Sequence, residues 1–80
     1  MSNKKIELND AIPALKQKVG YILGRRGNHD VQFEKNGFLY EIRAKNNRDY
    51  ELVKLCYTNE KYVKQIAIDQ NPFNLIEKIA

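Results

Sequence analysis

The sequence predicts an α+β domain: an N-terminal helix, an antiparallel four-stranded meander and a short C-terminal helix. Three observations carry that expectation. Apolar residues recur at helical spacing through the first third of the chain, Asn36-Gly37 separates two alternating apolar runs, and Asn71-Pro72 precedes a final apolar stretch.

From Asn9 to Leu23 the pattern is helical. Asn9 has the side chain of an N-cap, Asp10 adds negative charge to the first turn, and Pro13 falls near the start, where backbone donors lack intrahelical partners. At 100° per residue, Ala11, Ile12, Leu15, Val19, Ile22 and Leu23 occupy one arc of about 120°, the expected buried face. Gly24 is the expected residue just past the end of the helix.

Asn36-Gly37 is the strongest local signal, because a two-residue type I′ turn needs positive φ at both central positions. Pairing Lys35 with Phe38 sets Phe33 opposite Tyr40 and Val31 opposite Ile42, so the large apolar side chains share a face. Asn46-Asn47-Arg48-Asp49 then turns the chain. Pairing Lys45 with Tyr50 continues the apolar face through Ile42–Val53, Tyr40–Leu55 and Phe38–Tyr57, with Glu41 opposite Lys54 on the other side. Thr58-Asn59-Glu60-Lys61 reads as a third turn, and its β-branched and aromatic content favours a strand over a helix for Lys61 to Asp69. Asn71 as N-cap with Pro72 at the first helical position opens the closing helix, which buries some of Phe73, Leu75, Ile76 and Ile79.

These registers, with Asn59-Glu60 as a two-residue loop, predict a second apolar sheet face carrying Leu39, Leu52, Cys56, Val63 and Ala67. That patch calls for the C-terminal helix, a second copy of the chain or another partner.

Eighty residues with 42% hydrophobic and 30% charged side chains suit one small core and exclude separate cofactor and substrate domains. Residues 1–8 read as a flexible basic arm and residues 9–80 as a single domain, with no repeat or linker between them. No apolar run is long enough for a membrane span and no signal segment is seen, so no membrane partner and a cytoplasmic location are expected. The lone Cys56 makes no internal disulfide and no zinc site.

The net charge of +4 is unevenly placed: residues 1–26 hold six bases and two acids, and residues 27–80 hold eight of each. An anionic partner is therefore expected at the first third. On the expected helix, Ala14, Lys18, Tyr21 and Arg25 form a ridge along one edge of the buried arc. Arg25 and Arg26 enter a glycine-flanked loop, with Lys4, Lys5 and Lys16 nearby, so backbone donors and guanidinium groups together suit phosphate.

Catalytic patterns are sparse. Gly27-Asn28-His29-Asp30 resembles the Gly-Asn-His-Asp/Glu element of metallophosphoesterases, but two-metal hydrolysis needs further ligands and His29 is the only histidine. Cys56 reads as a buried small hydrophobe in mid-strand rather than a nucleophile. Gly24-Arg25-Arg26-Gly27 lacks the Lys-Ser/Thr and the preceding strand of a phosphate-binding loop. The order of helix, meander and helix is shared in outline with double-stranded RNA-binding domains, although Asn71-Pro72-Phe73-Asn74 stands where those carry a basic helix start.

The expectation is a small non-catalytic protein with no cofactor that engages nucleic acid or a nucleoprotein through Lys4, Lys5, Lys18, Tyr21, Arg25 and Arg26. The alternative is a protein-interaction module, a homodimer or a small inhibitor or adaptor of a larger enzyme, acting through Leu39, Leu52, Cys56 and Val63.

Overall fold

Helix α1, Leu8–Val19, begins earlier than the periodicity implies, because its first amides find partners from distant sequence. The computed structural model describes residues 6–56, 58–59 and 61–79. Glu7 is the N-cap and closes a capping box with Asp10, whose carboxylate accepts from the Glu7 amide at 3.1 Å. The Leu8 amide donates to the Tyr50 hydroxyl at 3.1 Å and the Asn9 amide to Asn28 Oδ1 at 2.9 Å. Asn9 is thus inside the helix and is not its cap. Glu7 and Leu8, counted in the basic arm expected over residues 1–8, form the cap and first residue of α1, and Lys4 and Lys5 lie outside the described residues.

At its other end α1 stops at Val19 rather than Leu23. Gly20 has φ of +86° and donates its amide to Lys16 O at 2.7 Å, a left-handed stop that glycine adopts at low cost. The chain then runs as strand β1, Ile22–Arg26. Ile22 and Leu23 fit a helical arc and a strand equally well, and Gly20, one turn before the expected stop at Gly24, decides between them.

The sheet therefore has five antiparallel strands and not four, in the order β1-β2-β3-β4-β5. Strand β2 is Asp30–Lys35, β3 Phe38–Ala44, β4 Tyr50–Leu55 and β5 Tyr62–Asp69; helix α2, Pro72–Glu77, closes the chain. The β2–β3 hairpin has the expected register, Lys35 with Phe38 through Val31 with Ile42, and Asn36 and Gly37 both take positive φ. At α2, Asn71 Oδ1 accepts from the Phe73 amide at 2.9 Å with Pro72 beside it, as expected of that N-cap.

Between β3 and β4 the register is one residue away from the expected one. Ala44 faces Tyr50, Ile42 faces Leu52, Tyr40 faces Lys54 and Glu41 faces Val53. Asn46 Oδ1 accepts from the amides of Arg48 and Asp49, both at 2.8 Å, and the Lys45 amide donates to Asp49 O at 2.9 Å, which closes a five-residue loop, 45–49. A one-residue slip turns every side chain of a strand over. The Leu52-Val53 doublet keeps an apolar residue opposite Ile42 in either register, so alternation alone could not choose.

Both helices cover the same sheet face. Ala11, Ile12 and Leu15 of α1 and Leu75 and Ile76 of α2 meet Val31, Phe33, Ile42, Tyr50 and Leu52 in one core. The second face keeps a smaller buried cluster of Leu39, Val53 and Leu55. Polar side chains flank it: Glu51 accepts from Arg43 Nε at 2.9 Å and from Gln65 Nε2 at 2.7 Å, Arg43 also reaches Glu41 at 3.3 Å, and its guanidinium stands 5.7 Å from the Tyr62 ring centroid. Burial alone would raise the Glu51 carboxyl, but the hydrogen bonds from Gln65 and Arg43 and the Arg43 charge outweigh it and hold the pKa below the usual glutamate value.

Candidate nucleic-acid interface

The expected ridge of Ala14, Lys18, Tyr21 and Arg25 needed one continuous helix, and the end of α1 at Val19 divides it. Lys18 stays on α1 while Tyr21 and Arg25 pass to the β1 side of a groove. That groove, about 450 Å³ in volume, runs between α1 and the sheet edge. Ile12 and Ile22 supply apolar lining, Lys16 and Arg25 supply the cations, and Gly20, Tyr21 and Gly24 complete it.

Each member is placed by local structure. Lys16 is one turn from Ile12 on α1, on the flank that meets β1. Lys18 is about 200° from Lys16 around the helix, so it lies on the opposite flank and lines no part of the groove. Its backbone carbonyl accepts from Lys35 Nζ at 3.3 Å, which adds a cation at the C-terminal end of α1. Within β1 the register shifts at Leu23, so that Ile22 stands opposite Phe33 and Arg25 opposite Val31, both over the helix-bearing face. Arg25 rises past the end of that layer into the groove. Among the described residues its Nε makes one long hydrogen bond, 3.4 Å, to Gly27 O, and its guanidinium carries further donors suited to a ligand.

Tyr21 is 69% exposed, which leaves its ring open for stacking. A Cβ built on Gly20 or on Gly24 would meet nothing within 4 Å. The backbone here is open to a ligand, and β1 is an edge strand whose outer backbone groups have no strand partner among the described residues. Among the described residues, no carboxylate lines the groove.

Arg26 belongs elsewhere. It alternates to the opposite sheet face, where its guanidinium grips Asp30 at 2.6 Å and 3.1 Å. The hydrogen bond and charge of Asp30 hold the guanidinium pKa above its ordinary value. Of the two arginines read together in the Gly-Arg-Arg-Gly segment, only Arg25 faces the groove. Gly27, Asn28 and His29 form the β1–β2 turn and Asp30 opens β2: the His29 amide donates to Arg26 O at 2.8 Å, Asn28 Oδ1 accepts from the Asn9 amide of α1, and Asp30 pairs with Arg26. Among the described residues there is no group of three or more His, Cys, Asp or Glu side chains that could hold a metal, and no helix long and apolar enough to cross a membrane.

The residues expected at a second apolar face are dispersed. Leu39 is buried in the small cluster with Val53 and Leu55, whereas Leu52 lies in the main core with Ala67 packed near it. Cys56 follows the end of β4 rather than sitting in mid-strand, and its Sγ is 3.4 Å from Thr58 Oγ1. Hydrogen bonding with that side chain and with the Thr58 and Asn59 backbone lowers the thiol pKa. Val63 is exposed on β5, at one of two positions where β5 bulges against β4. Strand β4 ends at Leu55 and β5 begins at Tyr62, with the Cys56 amide donating to Lys61 O at 2.7 Å; the two-residue loop expected at Asn59-Glu60 falls partly outside the described residues.

Compared with known proteins, the chain matches no family model, no curated protein and no solved structure.

Proposed function

We propose that this chain is a small non-catalytic protein that engages nucleic acid or a nucleoprotein through the α1–β1 groove. The observation that carries this reading is that Lys16 and Arg25 line one groove beside the exposed Tyr21 ring, with no carboxylate among its described lining residues. Ammonium and guanidinium groups bind phosphate oxygens, and an exposed aromatic ring stacks an unpaired base. Lys18 and Lys35, near the end of α1, and Lys4 and Lys5, at the start of the chain, add longer-range attraction.

Fluorescence titration of a labelled single-stranded oligonucleotide and its duplex, at two salt concentrations, tests the proposal. Affinity should fall with salt, and the double variant Lys16→Gln, Arg25→Gln should flatten the log–log slope for the single strand by about 1.4. Equal affinity in both salts, or a double variant that binds like the parent, would reject the groove.

A second reading rests on β5. This edge strand exposes Tyr62, Val63, Ile66 and Ile68 in eight residues, which suits a protein partner or a second copy of the chain. Sedimentation velocity of the parent and of Ile68→Lys separates it from the first: self-association abolished by the substitution supports it, and a monomer at every concentration removes the homodimer.

A further inference from the structure

Residues 27–80 carry no net charge, yet the fold collects three of their lysines in one place. Lys54 and Lys64 stand directly opposite each other in the β4–β5 ladder, and Lys78, the C-cap of α2, comes alongside. Together with Tyr40 they line a cleft of about 240 Å³ whose apolar lining includes Leu52 and Ile79.

Like charges directly opposite each other destabilise a sheet. Among the described residues, no carboxylate side chain lines the cleft to offset them. Glu51, on β4, is turned to the other face and engaged by Arg43 and Gln65, while Asp69, on β5, accepts from the Asn71 amide at 2.8 Å and from Asn74 at 3.2 Å. The C-terminus of a helix favours a cation, which accounts for Lys78 alone and not for the opposed pair. Lys54 is also held in place, with Nζ 3.9 Å from the centroid of the Phe38 ring. The cleft gathers three lysine side chains over an apolar floor.

We propose that this cleft binds a di- or triphosphate group, held by Lys54, Lys64 and Lys78 beside Tyr40. It is a separate surface from the α1–β1 groove and shares no residue with it. An anion here relieves the Lys54–Lys64 repulsion, so ligand binding and stability are linked.

Titration of the 15N-labelled full chain with inorganic pyrophosphate at low ionic strength reads the site directly. Amides of Tyr40, Lys54, Lys64 and Lys78 should shift together along one saturating curve, and the melting temperature should rise with pyrophosphate. Lys64→Gln should weaken binding roughly tenfold, melt no lower than the parent without ligand, and lose the pyrophosphate-induced rise. Lys64→Arg should retain binding, and Lys16→Gln with Arg25→Gln should leave this curve unchanged. The proposal is overturned by shifts confined to the α1–β1 groove, by weak unsaturating shifts at every lysine, or by a folded Lys64→Gln that binds like the parent. The first of those results would still leave the groove reading standing.

Discussion

The two edges of the sheet are built from the same device and present opposite chemistry. Both carry bulges, at Leu23 in β1 and at Val63 and Ile66 in β5, which twist an edge strand and interrupt its hydrogen-bonding pattern. Around the β1 bulge stand glycines, Arg25 and Tyr21; β5 shows Tyr62, Val63, Ile66 and Ile68. The comparison teaches that net charge by segment locates one edge but misses local clusters within a neutral stretch. Lys54, Lys64 and Lys78 are scattered in sequence and meet only because β4, β5 and α2 are neighbours.

The edges also differ in how they are anchored, and that difference sets the largest expected effect. β5 is anchored beside Leu52, fully buried opposite Ala67, whereas β1 is anchored by the half-buried Ile22 opposite Phe33. Leu52→Ala should cost about 2–5 kcal/mol and Ile22→Ala distinctly less, read by denaturant unfolding. Equal costs would mean that β1 is as firmly part of the core as β4.

Next in size is Gly20→Ala. In a helix continuing to Leu23 the substitution would stabilise by about 0.5–1 kcal/mol. At φ of +86° it should instead destabilise, by about 1–2 kcal/mol. The sign of the change, read by denaturant unfolding, decides whether α1 stops at Gly20.

The polar face beside Val53 makes a pH prediction. Because the Glu51 pKa is held below its ordinary value in the folded chain, its contribution is fully present above the unfolded value of about 4.3 and is lost as pH falls through the folded one. Glu51→Gln should lower stability at neutral pH and flatten its decline in acid, measured by thermal melts across that range. An unaltered acid profile would show that the Arg43–Glu51–Gln65 network contributes nothing.

The smallest expected effect belongs to the open edge. Ile68→Lys should change stability by no more than about 0.5 kcal/mol, since Ile68 is exposed on β5. A larger loss would mean that the edge is covered in solution.

The Asn36-Gly37 hairpin and the Asn71-Pro72 cap were legible in the sequence because local chemistry dictates them. Strand β5 was legible from its β-branched content. Where the reading failed, two local solutions were nearly degenerate and a distant contact chose. The β4 register turned on Asn46 side-chain hydrogen bonds, and the start of α1 on Tyr50 and Asn28. For the groove, the sequence put Lys18 on one ridge with Tyr21 and Arg25 and Lys16 only nearby, whereas the fold lines the groove with Lys16, Tyr21 and Arg25, because α1 ends at Gly20 and the ridge is divided. Arg26 was assigned with Arg25 because adjacency in sequence hides the alternation of a strand.

The most direct test of the central claim is amide chemical-shift mapping of the full chain with a short single-stranded oligonucleotide at low salt. The account predicts perturbations concentrated at Lys16 and from Gly20 to Arg25, absent in the Lys16→Gln, Arg25→Gln variant. Perturbations centred on β5, or none at all with the parent protein folded, would contradict it.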